Sequence, residues 1–392
     1  MKQRSVVLIM AVIVLLAAGA AILILWLGRP NMTTTELRQR IGQMLLVGFR
    51  GAEVSQTSTI VTAVRDLNLG GVILFDIDVP SGRTIPRNIV NPVQTRDLIA
   101  DLQRWTPTPL WVAVDAEGGK VNRLKAKYGF LEIPSAEEMG QMGPVATREI
   151  ADKLAGELVS LGFNLDFAPV VDVNVNPQNP VIGALGRSFS ADPEQVTACA
   201  AAFIEGMHSQ RIATSLKHFP GHGSSADDSH LGLVDVTSSW TTRELIPYRD
   251  LISRGLVDMV MTAHVMNRSV DPDYPATLST RFIGPILREQ LQFNGPVASD
   301  DLEMGAITQH FGFEEALVRA VNAGCDLLIL SNNGSLYDDR AAYQAAEAIY
   351  QAVQSGKISS SRIWQASERL RALKQAFGLL PAATPVDTGG NP

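Results

Sequence analysis

The chain has 392 residues, 46% of them hydrophobic and 19% charged, with a formal net charge of −7. That balance is too apolar for an intrinsically disordered chain. It also lacks the basic face that phosphates demand, so no nucleic-acid partner is expected. Two cysteines cannot build a disulfide framework or a multi-cysteine zinc site.

The first element in chain order is the uncharged run Ser5–Leu27, which is long enough to span a hydrocarbon core as a helix. Trp26 at its end suits a membrane–water interface. Ala18-Gly19-Ala20 looks like a signal-peptide cleavage site, but cleavage there would expose AILILWL at the new terminus. The run therefore reads as an uncleaved transmembrane anchor. Lys2 and Arg4 on one side and Arg29, Arg38 and Arg40 on the other do not decide its orientation. The short N-terminal tail is the easier end to keep in the cytosol. A single-pass protein of the cell (inner) membrane, with its globular part outside the cytoplasm, is the expectation. Residues 28–36 read as a linker, 37–378 as one globular domain and 379–392 as a disordered tail.

Within the domain, eight short apolar runs alternate with amphipathic stretches. The runs are Met44–Phe49, Gly71–Phe75, Leu110–Asp115, Leu165–Val171, Thr214–His218, Val257–His264, Pro296–Asp300 and Asp326–Ser331. None shows strict period-two alternation, as expected of parallel strands covered on both faces. Between them, Ile150, Leu154, Leu158 and Leu161 share a helical face that Gly162 can cap. Asp192-Pro193-Glu194 makes a helix start, and Val196, Cys199, Ala200, Phe203 and Met207 line the stripe that follows. Ile363, Ala366, Leu370, Leu373 and Phe377 form a last stripe, closed by Gly378. The alternation predicts an α/β fold, an eight-fold β/α (TIM) barrel. A doubly wound open sheet is the alternative. No G-x-G-x-x-G or G-x-x-x-x-G-K-[ST] occurs, so a nucleotide has no support.

In such a barrel, chemistry belongs at the C-terminal ends of the strands. Asp115, Asp172, Lys217, His218, His264, Asp300 and Asp301 all fall there. The densest stretch is Lys217-His218-Phe219-Pro220-Gly221-His222-Gly223, continuing to Asp228-Ser229-His230. Its proline and glycines predict a loop. Zinc is one reading of His218, His222, Asp228 and His230, but Pro220-Gly221 breaks the helix that a two-histidine metalloprotease site needs. A structural role for His218 and His222, bonding loop backbone, is another. A third is acid–base chemistry, with Asp228 fixing the tautomer of His230 and Asp300 as a nucleophile on the rigid frame. That division of labour is the logic of a retaining glycosidase, with a histidine in place of one carboxylate.

The stretch Lys217–His230 resembles the signature of bacterial β-N-acetylglucosaminidases of glycoside hydrolase family 3. The resemblance extends through Ile41–Gly51, Gly70–Phe75, Val114–Arg123, Asn179–Gly183, Gly186–Phe189 and Ser299–Met304. It implies a β/α barrel that removes terminal β-linked N-acetylglucosamine, with peptidoglycan-derived muropeptides as the expected substrate. It implies Asp300 as the glycosyl-accepting nucleophile and His230 as the general acid/base assisted by Asp228. Asp115, Arg123, Arg187, Lys217 and His218 would hold the sugar hydroxyls, and Asp301 would support Asp300. Phosphorolysis is allowed as a side reaction. No metal or other cofactor is expected. The family's β-glucosidases resemble two-domain proteins whose acid/base comes from a second domain; the short tail here favours the loop histidine. A β-glucosidase or β-xylosidase, a catalytically inactive membrane-tethered glycan binder and a metal hydrolase are the alternatives. The segment Asp76–Arg87 looks like an insertion, expected at the rim of the site.

Overall fold

The computed structural model describes residues 32–229 and 232–382. The transmembrane anchor expected at 5–27, the linker residues 28–31 and the tail residues 383–392 lie outside the described residues. Among the described residues, no helix is long and apolar enough to cross a membrane.

The apolar runs become eight short parallel strands: β1 (Leu45–Gly48), β2 (Gly71–Ile73), β3 (Trp111–Val114), β4 (Leu165–Asp166), β5 (Ala213–Phe219), β6 (Met259–Thr262), β7 (Val297–Ala298) and β8 (Leu328–Leu330). Every residue of these strands is buried, which accounts for the missing alternation in the sequence. The strands pair in sequence order from β1 to β7, and β8 pairs with β1. A bridge between Ala298 and Leu327 joins β7 to the start of β8 and brings the sheet round to a nearly closed barrel. Gly48 lets β1 pass the Ser331 carbonyl after β8, where a Cβ would overlap that oxygen.

The helices follow from local sequence. Gly162 takes φ +95° to end Pro144–Leu161, and the Asp192 carboxylate caps Pro193–His208 by accepting from the Glu194 amide at 3.3 Å. The last helix, Ser360–Ala376, buries Ile363, Ala366, Leu370 and Leu373 against the barrel.

Several boundaries move. The first helix among the described residues is Thr34–Gln43, with Thr33 as its cap, so residues 34–36 are helix rather than linker. Leu379, assigned to the tail, packs against the core. The fourth strand is two residues long, because its continuation reaches β5 only through a bridge from Val170 to Lys217. Lys217, His218 and Phe219 belong to β5, so the signature loop begins at Pro220.

The Asp76–Arg87 segment is a structured excursion at the C-terminal end of β2. Ile77 bridges Pro86, and the wholly buried Arg87 lies 2.5 Å from Asp78. Arg87 also donates to the Asn332 carbonyl at 2.6 Å, and Asn333 donates to that of Ile77 at 3.0 Å. The excursion is thereby tied to the loop after β8, on the barrel face where the candidate site lies.

Candidate active site

The strand ends of β3, β4 and β5 bring five of the predicted residues into one buried network. Asp115 follows β3 directly. Its two oxygens take the Lys217 ammonium at 2.9 Å and the Arg123 guanidinium at 3.1 Å. Burial alone would raise the Asp115 pKa; Lys217 first, then Arg123, overcome it and hold the carboxyl well below the usual range. Arg123 comes within reach because the chain reverses in a small hairpin, Ala116–Gly118 with Val121–Asn122.

Arg187 is held as a fork. Its Nε and Nη2 each donate to Glu117 at 2.7 Å, and its Nη1 donates to the Val181 carbonyl at 2.8 Å. Lys217 completes a shared pair with Glu117 at 2.6 Å. Burial works against the charge on Arg187 and Lys217, but their carboxylate partners outweigh it and raise both pKa values. Both stay cationic, presenting fixed donors to whatever enters the mouth of the barrel.

His218 is oriented by Asp172. The Nδ1 atom lies 2.7 Å from Asp172 Oδ2, and Oδ1 of the same carboxylate accepts the backbone amides of His218 and His222 at 3.2 and 2.7 Å. The other ring nitrogen of His218 is 3.4 Å from Arg187. His222 has both ring nitrogens on hydroxyls, Ser225 at 2.8 Å and Ser229 at 3.1 Å. Burial and the neighbouring His218 push its pKa down to about 4, so it is neutral at ordinary pH.

Asp300 leaves β7 on a rigid footing. Ser299 is buried, with its amide on the Leu327 carbonyl at 2.9 Å and its hydroxyl accepting from the Ile329 amide at 3.0 Å. The next residue, Asp301, donates its amide to Asp300 at 2.8 Å. Its own carboxylate accepts the Ser331 amide and hydroxyl at 3.0 and 2.5 Å, and its carbonyl lies 2.9 Å from His264 Nε2. Asp301 is thus consumed in holding the turn, while Asp300 is half-buried at the strand end.

Asp228 is half-buried on the loop after β5. The neighbouring Ser229 carbonyl accepts the Ala306 amide at 3.3 Å, joining this loop to the segment that follows Asp300. His230 lies outside the described residues. The zinc reading meets a different arrangement: His218 is committed to Asp172 and His222 to two serines. Among the described residues, no group of three or more histidine, cysteine or acidic side chains is placed to hold a metal ion.

Sequence reasoning gave no role to Glu117, Asp166 or Glu244, and none to Asp172 beyond its place at a strand end. Glu117 is the counter-charge without which Arg187 and Lys217 would be buried unpaired. Its position two residues after a strand-end aspartate was the only signal. Asp166 is wholly buried in β4; one oxygen accepts from the Ala116 amide at 2.9 Å and the other has no partner among the described residues. Burial raises its pKa to about 8, so it carries a proton. Glu244 accepts the Gly223 amide at 3.1 Å, and burial raises it to about 7. Gly221, at φ +123°, leaves room for it: a Cβ there would lie 2.6 Å from the Glu244 Cβ.

Comparison with known proteins places the chain in a family. Residues 36–373 match the model of the glycosyl hydrolase family 3 N terminal domain. A beta-hexosaminidase from Tolumonas auensis is 38% identical over 296 residues, 74% of this chain and 83% of that protein. Among solved structures, a glycoside hydrolase family 3 beta-N-acetylglucosaminidase from Paenibacillus superposes with a TM-score of 0.80 at 36% identity, covering 91% of this chain and 65% of that one. This chain therefore spans about two thirds of that protein's length. A beta-N-acetylhexosaminidase from Beutenbergia cavernae superposes with a TM-score of 0.76 at 29% identity, covering 86% of this chain and 98% of that one.

Proposed function

The chain belongs to glycosyl hydrolase family 3, and from that premise we propose that it is a retaining β-N-acetylhexosaminidase acting on terminal β-linked N-acetylglucosamine. The observation that carries the reading is the buried network of Asp115, Lys217, Glu117 and Arg187. It sets charged donors and acceptors at the barrel mouth in fixed positions, as recognition of a ring of hydroxyls requires. Arg123 and His218 extend it toward the opening.

Asp300 is the nucleophile of this scheme. It attacks the anomeric carbon while His230, oriented by Asp228, gives a proton to the departing oxygen. A covalent glycosyl-enzyme results. His230 then takes a proton from water, which attacks the same carbon and releases the sugar with retained configuration. The roles of Asp300, Asp228 and His230 rest on their places in the sequence, supported for Asp300 by the rigid turn built from Asp301 and Ser331. Peptidoglycan-derived fragments are the substrate class we assign.

The test is a panel of aryl glycosides. The N-acetyl-β-glucosaminide should be cleaved far faster than the glucoside or xyloside. Asp300→Ala and His230→Ala should each lower turnover by about a thousandfold or more with melting temperature unchanged. Equal cleavage without the acetamido group would favour a β-glucosidase, and binding without turnover an inactive glycan binder. Wild-type-like turnover in either variant would remove that residue from the scheme.

The uncharged run Ser5–Leu27 supports a membrane tether, and we propose that the barrel lies outside the cytoplasm. In intact spheroplasts the barrel should be digested by added protease; protection would reverse the orientation.

A further inference from the structure

The loop that follows β5 is held in two halves. The first half, from Pro220 to Ser225, is fixed to the segment after β4. Asn176 donates its amide to the Gly223 carbonyl at 3.0 Å and its side chain to that of Ser225 at 2.9 Å. Asn179 donates to the His222 carbonyl at 2.7 Å and the Ser225 hydroxyl at 2.9 Å. From below, Asp172 takes the His222 amide and Glu244 the Gly223 amide. The second half carries Asp228 and Ser229. Ala226 and Asp227, which connect the halves, are exposed.

The His222 side chain spans the two. His222 sits in the fixed half, only 2% exposed, with Nδ1 on Ser225 and Nε2 on Ser229. Neither ring nitrogen is left for a sugar hydroxyl, so its place in the signature is not explained by substrate binding. Ser229 is itself 3% exposed, and besides His222 it meets Ala306, beyond Asp300. The chain around Ser229 is thus located by two contacts, one from each side of the site.

We propose that His222 is a positioning residue for the proton-transfer loop: through Ser229 it sets the backbone that carries Asp228 relative to the turn that carries Asp300. The inference rests on the acid/base reading of the previous section. A general acid contributes only when its proton lies in line with the leaving oxygen, so a displaced loop costs most where the leaving group needs that proton. A merely structural histidine would, when removed, depress all substrates alike.

The experiment compares kcat/KM, which reports the glycosylation step, for two N-acetyl-β-glucosaminides. One has a dinitrophenyl leaving group that departs without a proton; the other has a sugar leaving group that cannot. His222→Ala and Ser229→Ala should each lose about 10–100-fold on the sugar aglycone and less than about threefold on the dinitrophenyl glycoside. His222→Gln, whose side-chain amide can reach the place of Nε2, should recover most of the loss. The double variant should be no worse than either single, because both remove one contact. Equal losses on the two substrates, or full activity of Ser229→Ala on the sugar aglycone, would overturn the proposal. His230→Ala separates the two levels. If it shows no leaving-group dependence, the acid/base reading fails. If it shows dependence and the His222 and Ser229 variants do not, only the positioning role fails. Should His222→Ala not fold, Ser229→Ala and His222→Gln carry the test.

Discussion

The two ends of the barrel both bury charge, and they bury it differently. At the N-terminal end, Asp326 precedes β8 and accepts from Arg362, Arg369 and Arg288 at 2.8, 3.2 and 3.0 Å, and from the Val297 amide at 3.0 Å. Asp258, before β6, accepts from Thr214 and lies 2.8 Å from His208. Lys374 of the last helix reaches Gln43 and the Gly70 carbonyl, below β1 and β2. Both oxygens of Asp326 are engaged, and Arg362, Arg369 and Lys374 fasten the C-terminal helix to the barrel floor. At the C-terminal end, Asp115, Glu117, Asp166 and Asp172 crowd around Lys217, Arg187 and His218, and buried acceptors on Asp166 and Glu244 remain without a partner among the described residues. Buried charge by itself therefore does not mark a site. Asp326 is more heavily ion-paired than any predicted binding residue, yet it lies on the far side of the barrel from the strand ends where barrel chemistry takes place.

A matched pair of substitutions puts the largest strain on that contrast. Asp326→Ala takes the shared counter-charge from three guanidinium groups and should cost about 3–5 kcal/mol of stability in urea unfolding. The kcat of the molecules that remain folded should stay within about twofold of wild type, since nothing at the mouth has changed. Arg187→Ala also strands a buried carboxylate, Glu117, with only Lys217 to balance it, so its stability cost should be of similar sign and somewhat smaller. It should in addition lose about a hundredfold in kcat/KM. A folded Asp326→Ala enzyme with depressed kcat, or an active Arg187→Ala enzyme, would erase the distinction between floor and mouth.

The sequence carried the fold further than the site. Eight apolar runs without alternation became the eight strands, because parallel strands covered on both faces leave that pattern. The helix stop at Gly162 and the cap at Asp192 were legible because a left-handed turn and an orphan amide each demand few residue types. The strand lengths were not, since the fourth run bends away from β5 after two paired residues. Within the site, Lys217, His218, Asp115 and Arg187 were named from their motifs, but what balances their charge was not. Glu117 and Asp166 are ordinary acids in the sequence. They acquire meaning only when folding brings residues about 50–100 positions apart into one buried volume. His222, read in the sequence either as a zinc ligand or as a structural histidine, is a neutral imidazole between two serines.

The smallest effect tests Asp166, whose second carboxylate oxygen has no partner among the described residues. Asp166 has a pKa raised to about 8, chiefly by burial, with Asp115 and Glu117 adding to it against the pull of the Ala116 amide and Lys217. An unfolded aspartate titrates near 4, so between about pH 4 and 8 the folded protein holds a proton that the unfolded chain has released. Folding stability must then fall as pH rises through that window, and the contribution of the protonated form is fully present only below it. Asp166→Asn keeps an acceptor for the Ala116 amide and has no proton to lose. The variant should therefore match wild type near pH 4 and exceed it progressively toward pH 8, by about 1–3 kcal/mol at the upper end. Taking the difference between the two proteins at each pH cancels the other raised acids, Glu157, Glu244, Asp301 and Glu303, and the opposite trend of Lys374, which burial lowers to about 7. Urea midpoints across that range supply the measurement. A gap that stays constant, or shrinks as pH rises, would mean that Asp166 is ionised in the fold and that the mouth, like the floor, balances every carboxylate it buries.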